Sequence, residues 1–357
     1  METKTPTLII DKQKVRNNIL KMVDKANLSN TIFRPHFKTH QSAEIGMLFK
    51  GQGVTKITVS SVSMAIYFAD NGWDDITIAF PVNINQIDEI VELSSRVKLN
   101  VLVESVYSAD TLSKIITHSL DVFIKIDTGY HRTGLLPEDS EIDNIISILA
   151  TNNHLLFKGF LSHAGHTYVA KGRNEILQIM DKSKTILANL KQKYISQFPD
   201  IITSYGDTPS CSMADNCIGF DEIRPGNFVY FDVMQYHIGS CDFDDIAVVV
   251  ACPIVAIYPK RNELVIYGGA IHLSKDFIAA DNDFKLFGYV VTFTENGWSE
   301  PISGAYVSSL SQEHGIIQIP EKYLTNFKLG DTIGILPIHS CLTANLLRKD
   351  SCLYFNI

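Results

Sequence analysis

The sequence predicts a (β/α)8 TIM barrel followed by an all-β domain, and three observations carry that expectation. From Thr31 to about Asp232, short apolar β-branched runs alternate with amphipathic stretches or turns. Several runs are almost continuously apolar, such as Val122-Phe123-Ile124-Lys125-Ile126, which suits a parallel sheet covered by helices. After Cys241 the alternation stops, and strand-like runs follow one another through tight turns with no convincing helix between them.

The eight barrel strands read as Ile32 to His36, Lys56 to Ser60, Asp75 to Phe80, Lys98 to Glu104, Asp121 to Asp127, Leu156 to Ser162, Ile201 to Tyr205 and Phe228 to Asp232. A helical pattern starts near Gln41, and others span Ser63 to Asn71, Asn85 to Ser95, Ser108 to His118 and Glu175 to Tyr194. The last unit, Thr208 to Gly226, is the least regular, and a doubly wound open sheet is the main competitor to the barrel. In the second domain, Ile246 to Tyr258, Glu263 to Gly268, Tyr289 to Phe293, Gly315 to Ile319, Asp331 to Leu336 and Ser351 to Phe355 read as strands. The expected division is residues 11–240 for the barrel and 241–357 for the β domain.

A chain of 357 residues exceeds what one core usually supports, in keeping with two domains. With 45% hydrophobic and 20% charged residues it has an ordinary globular composition. A net charge of -8 argues against a nucleic-acid binder, which normally shows a basic face. No apolar run reaches membrane-spanning length, and METKTPTLIID lacks the apolar core of a signal peptide, so a cytoplasmic location is expected. The six cysteines are scattered without a CxxC pair, and only Cys341 has a suggestive neighbour, His339.

If the barrel expectation is right, polar residues at the carboxyl ends of its strands converge on one face. In Arg34-Pro35-His36-Phe37-Lys38-Thr39-His40 a lysine stands between two histidines at the end of the first strand. Desolvation and neighbouring cations lower the pKa of such a lysine and free its amine to attack a carbonyl. Asp127 leads into Thr128-Gly129-Tyr130-His131-Arg132 after strand five, and His163, His166 and Tyr168 follow strand six. Tyr205-Gly206-Asp207-Thr208-Pro209-Ser210 offers a glycine, two hydroxyls and backbone N–H groups at a helix start, to which Gly226 and Asn227 can add amides. This is the chemistry of a phosphate cradle. A reactive lysine and a phosphate site in one barrel point to pyridoxal phosphate held as a Schiff base. His118, His154 and His237 have no such setting.

In the β domain, Pro337-Ile338-His339-Ser340-Cys341 follows an apolar strand. In an extended segment residues two apart face the same side, so His339 and Cys341 can supply an imidazole and a thiolate to one ion. Zn²⁺ is the natural guest for that pair, with water or substrate completing its shell.

These segments carry a resemblance. TPTLIID, RPHFKTH, FIKIDTGYHRTG, GFLSHAGHT, EIRPGNFVYFD, SQEHG and GDTIGILPIHSCLTANL together make the chain similar to the D-threonine aldolase and D-serine dehydratase family, alanine-racemase-like enzymes of pyridoxal phosphate fold type III. RPHFKTH and the HSC segment are the specific motifs. The resemblance implies Lys38 as the Schiff-base lysine, His163 on the ring, Arg132 as a contact to cofactor or substrate, and Arg224 facing the pyridine nitrogen. Tyr205, Gly206, Asp207, Thr208 and Ser210, with Gly226 and Asn227, would hold the phosphate, while His36 and Tyr168 border the cofactor. Family aldolases carry His-x-Asp at the metal site and dehydratases His-x-Cys, so His339-Ser340-Cys341 leans toward dehydratase. The family fold further implies that a first strand, Thr7 to Ile10, joins the β domain, and that the protein is a homodimer.

The expected activity is therefore a lyase using pyridoxal phosphate and Zn²⁺ on a D-β-hydroxy amino acid, a D-serine or D-3-hydroxyaspartate dehydratase. Retro-aldol cleavage, racemisation and a non-catalytic cofactor-binding regulatory role are the alternatives. The second proton is left open among His40, His166 and Tyr168, as is the part Gln312, Glu313 and His314 take near the metal.

Overall fold

A computed structural model describes residues 2–279, 284–348 and 352–355, and the chain divides into two compact units. One comprises residues 20–226; the other joins residues 1–19 to residues 227–357. The helix Lys12–Leu28 carries the chain across the division. No helix among the described residues is long and apolar enough to cross a membrane.

In residues 20–226, eight parallel strands stand in the order Ile32–Phe33, Glu222–Ile223, Ile202–Tyr205, Leu155–Ser162, Leu120–Lys125, Lys98–Val103, Asp75–Pro81 and Ile57–Val59. The sheet closes on itself, because Phe37 N donates to Thr58 O (2.8 Å), Thr58 N donates to Pro35 O (2.9 Å), and His36 bridges Thr58 in parallel. The barrel expectation holds, and the open sheet does not. The first strand is short because Pro35 has no N–H to continue the ladder. Arg34 N and His36 N resume it on either side, donating to Ile223 O (3.0 Å) and Pro225 O (2.9 Å).

Two-residue periodicity puts Asp75, Thr77 and Ala79, then Asn100 and Leu102, then Asp121, Phe123 and Lys125 on one face of their strands. Leu102, Phe123 and Leu161 form a fully buried cluster, against which Ala79 and Ile202 pack. Beside it lies a buried polar chain. Arg34 Nε and Nη1 sit 2.6 Å from Glu222 Oε2 and Asp75 Oδ1, Ser204 Oγ donates to Glu222 Oε1 (2.6 Å), and Arg224 Nε donates to Ser204 Oγ (2.6 Å). Several helices start directly after a strand because a serine there caps them. Ser61 accepts from Met64 N (3.2 Å) ahead of Val62–Asp70, and Ser105 from Ser108 N (3.2 Å) ahead of Val106–Ile115.

The eighth barrel strand differs from expectation. It is Glu222–Ile223, while Asn227–Val229 forms a 3₁₀ turn and Val233–Ile238 a helix capped by Asp232. The run Phe228 to Asp232 has high β-propensity, yet Asp232 accepts from Gln235 N (2.9 Å) and Phe231 adopts φ +47°, both incompatible with a continuing strand. Arg224 consequently follows the last strand rather than preceding it.

The other unit is built on a sheet, antiparallel except for its last pair, in the order Glu263–Tyr267, His314–Gln318, Tyr306–Leu310, Gly288–Val291, Thr332–Pro337, Val248–Tyr258, Thr7–Asp11 and Leu353–Phe355. The long strand Val248–Tyr258 also pairs with Glu263–Tyr267, so the first six close into a barrel. Thr7–Asp11 joins this sheet alongside Val248–Ala251, as the resemblance implied. Tyr306–Leu310 was not read as a strand, its apolar pattern being interrupted by Ser308 and Ser309. Of the expected Ser351 to Phe355 strand, Leu353–Phe355 is observed and Ser351 lies outside the described residues. The unit is not purely β, since Ser340–Leu347 is a helix that starts at the candidate metal segment.

Candidate active site

At the barrel mouth, Lys38 is exposed and stands among cationic and imidazole groups. His36 Nδ1 accepts from Lys38 N (3.3 Å), which leaves its proton on Nε2. Burial, then the Lys38, Arg224 and His163 charges, hold His36 well below the usual imidazole range. His163 Nδ1 donates to Gly206 O (2.6 Å), and burial followed by the Lys38 charge pushes it down to about 3. Both rings are therefore neutral hydrogen-bonding partners. Arg224 is enclosed by Ser162 O (2.5 Å) and Ser204 Oγ, and burial brings it down to about 10 despite Glu222 nearby. Arg132 is exposed with its guanidinium 5.0 Å from the Tyr130 ring centroid.

Sequence reasoning assigned no role to Lys125. It is buried, donates to Thr133 Oγ1, and is pushed down to about 8 by burial and then by Arg132. Its apolar strand hid it, although an odd lysine on an otherwise apolar strand was the available signal. Asp127 holds its loop by accepting from Gly129 N (2.8 Å), Tyr130 N (2.9 Å) and His131 N (3.1 Å). Burial opposes ionisation of Asp127, but those three donors keep it below the ordinary carboxylate value. His166 stacks on Tyr130 with centroids 6.1 Å apart, and Tyr168 lies half-buried in the 3₁₀ turn Gly165–Val169.

Opposite these cations, Tyr205, Gly206, Asp207, Thr208 and Ser210 are all buried. A Cβ on Gly206 would stand 2.7 Å from Arg224 C, and one on Gly226 2.9 Å from His36 Cβ, so only glycine fits at either place. Asp207 Oδ1 accepts from Ser210 N (2.7 Å) and Thr167 Oγ1 (3.0 Å), whereas its buried Oδ2 has no partner. Burial raises the Asp207 carboxyl and, more strongly, the Tyr205 phenol. Four cationic side chains and a glycine-lined cradle fit an anionic cofactor carrying a phosphate.

His40 does not converge on this group. Its ring lies 4.4 Å from that of Phe37, 5.7 Å from Phe49 and 5.9 Å from Phe68, with Nε2 buried and unpartnered. Burial pushes it down to about 3. His40, His36 and His163 are thus neutral when folded but titrate at the ordinary value once unfolded. Their stabilisation is complete above about pH 6.5 and is lost as pH falls toward 3. The melting temperature is expected to drop across that window, and His40→Leu to make the drop shallower. A melting temperature flat from pH 7 to 4 contradicts this account.

In the other unit His339 precedes, and Cys341 lies in, the helix Ser340–Leu347 rather than an extended strand. The two side chains nevertheless meet in a hydrogen bond. His339 Nδ1 is 2.7 Å from Asp276 Oδ2. Burial disfavours the His339 charge, but Asp276 and Cys341 outweigh it and raise the ring to about 10, so metal binding releases a proton there. Asn227 directs its amide to Cys341 Sγ (3.4 Å), Asp232 Oδ2 (2.6 Å) and Ser340 Oγ (3.2 Å), while its buried Oδ1 is unpartnered. Among the described residues no cluster of three or more His, Cys, Asp or Glu side chains forms a cage. Imidazole plus thiolate with an orphaned carbonyl beside them fits an open Zn²⁺ site. Gln312 and His314 are exposed, and Glu313 lies 3.9 Å from His272. Asp276 was missed because nothing local to a loop residue announces a partner 63 positions away.

Comparison with known proteins agrees with this fold. The alanine racemase N-terminal domain family matches residues 10–233, and a serine dehydratase domain matches residues 247–351. The chain is 32% identical to the D-serine dehydratase of Dictyostelium discoideum, over 95% of this chain and 91% of that one. It is 26% identical to the D-threo-3-hydroxyaspartate dehydratase of Delftia sp., with the same 95% and 91% coverage. A solved D-threo-3-hydroxyaspartate dehydratase, a cysteine-to-alanine mutant in the metal-free form, superposes with a TM-score of 0.88 at 25% identity, covering 96% and 93% of the two chains. A barrel joined in one chain to a β unit is what these relatives share with it in extent and fold. The chain belongs to the D-serine dehydratase and D-threonine aldolase family of alanine-racemase-like, pyridoxal-phosphate-dependent lyases.

Proposed function

We propose that this protein is a zinc-dependent dehydratase of D-β-hydroxy amino acids, of the D-serine or D-3-hydroxyaspartate type, yielding a keto acid and ammonia. The observation that carries the reading is the His339–Cys341 pair, because the resemblance implies His-x-Cys for dehydratases where aldolases have His-x-Asp. Bound pyridoxal phosphate supplies an electron sink that acidifies the α-C–H of the amino acid.

Lys38 would hold the cofactor through its amine and would serve as the base for the α-proton of the substrate. A base confined to one face of the substrate would account for a preference for the D hand. His163, neutral and anchored to Gly206 O, offers a flat face for the cofactor ring without adding charge. Arg132 and Arg224 balance anionic groups, and Tyr205 to Ser210 with Gly226 supply the phosphate cradle. Arg224 stays cationic at about 10, and such a cation would disfavour protonation of a cofactor nitrogen held beside it. His339 and Cys341 would hold a divalent ion, which would supply Lewis-acid chemistry for loss of the β-hydroxyl. The β-C–O and α-C–N bonds break, one water is lost and one regained, and keto acid and ammonium leave. With His40 enclosed by phenylalanines, the second proton falls to His166 or Tyr168.

Incubation with D-threonine separates the readings. A dehydratase gives 2-oxobutanoate and ammonia, and acetaldehyde with glycine would instead establish an aldolase. Turnover that is indifferent to chelators favours a racemase, and no turnover on any D-amino acid favours a regulatory binder.

A further inference from the structure

We propose that Asp276 is the positioning residue that fixes His339 for its metal ion, with Asn227 as its counterpart on Cys341. The inference deepens, and rests on, the assignment of those two side chains as metal ligands.

An imidazole binds a metal through a bare ring nitrogen, so its proton must sit on the other one. Asp276 Oδ2, 2.7 Å from His339 Nδ1, is a carboxylate acceptor that retains the proton at Nδ1 and leaves the Nε2 lone pair for the ion. The turn that delivers Asp276 is built for this purpose. Ser274 is buried and adopts φ +70°, a left-handed conformation that is costly for a residue other than glycine and is held by its surroundings. Ser274 N donates to Ala270 O (3.0 Å), and Asp276 N donates to Ser274 Oγ (3.2 Å). Thr343 Oγ1 donates to Leu273 O (3.2 Å), tying the turn to the helix that carries Cys341.

The thiol end is held independently. Asp232 Oδ2 accepts from Ser340 N (2.9 Å), Ser340 Oγ (3.1 Å) and Asn227 Nδ2 (2.6 Å), which locks the helix start and the amide together. Asn227 Nδ2 also donates to Cys341 Sγ (3.4 Å), which fixes where the sulfur sits. Asn227 is 5% exposed, and its Oδ1 lacks a partner, an acceptor ready for a water on the ion. Both ligands are thereby aimed before any ion arrives, as a tight metal site requires.

The test uses full-length protein stripped with a chelator and titrated with Zn²⁺ against a chromophoric competitor. Asp276→Ala is expected to weaken zinc binding roughly 10–100-fold. Asp276→Asn, which keeps an acceptor oxygen, is expected to recover part of that loss. In the zinc-loaded parent, ¹⁵N NMR should report His339 with its proton on Nδ1, a signature that needs no variant. Asp276→Ala binding zinc within threefold of the parent, or His339 protonated on Nε2 in the zinc form, overturns the inference. A parent that binds no zinc, or a Cys341→Ala variant that binds as tightly as the parent, overturns the ligand assignment itself.

Discussion

Lys38→Ala abolishes turnover, by at least ~10³-fold, because no other amine is expected to hold the cofactor and move the α-proton. Borohydride then ceases to fix a pyridoxyl label on the protein, while zinc content is unchanged. Lys38→Arg is expected to be equally inactive. It retains a cation in the electropositive mouth formed with Arg132 and Arg224, but the guanidinium neither loses a proton nor attacks a carbonyl. A Lys38→Arg protein with parental activity would show that only the charge matters. Labelling of another lysine in Lys38→Ala would move the chemistry elsewhere.

The largest stability effect is expected in the barrel interior. Glu222, fully buried, accepts from Arg34 and Ser204, so Glu222→Ala leaves the Arg34 guanidinium paired with Asp75 alone. Removing one partner of a buried pair costs about 3–5 kcal/mol, and the urea midpoint shift measures it. Arg34→Met combined with Glu222→Leu removes both charges and is expected to regain most of that loss, with Asp75 still 3.0 Å from Lys56. If the double variant is no more stable than Glu222→Ala, the penalty comes from packing rather than from an unpaired charge.

The barrel was legible because its strands are bounded by polar strand ends and serine caps, signals that lie within a few residues of one another. Lys38, His163 and the glycine cradle were found in the same way, each sitting where a strand ends. What failed was decided by neighbours distant in sequence. Phe228 to Asp232 carries the composition of a strand, but Glu222–Ile223 takes the last place in the sheet by pairing with Ile32–Phe33 and with Ser204–Tyr205. His339 and Cys341 were paired through an assumed extended backbone, whereas a helix brings them together. His40 looked like a companion of Lys38 in sequence, yet its ring turned into an aromatic cluster drawn from two helices and a loop.

The strand Thr7–Asp11 pairs with Val248–Ala251 and, in parallel, with Leu353–Phe355, so its partners are made hundreds of residues later. During synthesis this opening segment emerges unmatched and stays so while residues 20–226 acquire every strand they need. A strand made ahead of residues 20–226 thus waits for partners made after them, and deleting either Thr7–Asp11 or Leu353–Phe355 strips the same side of the sheet.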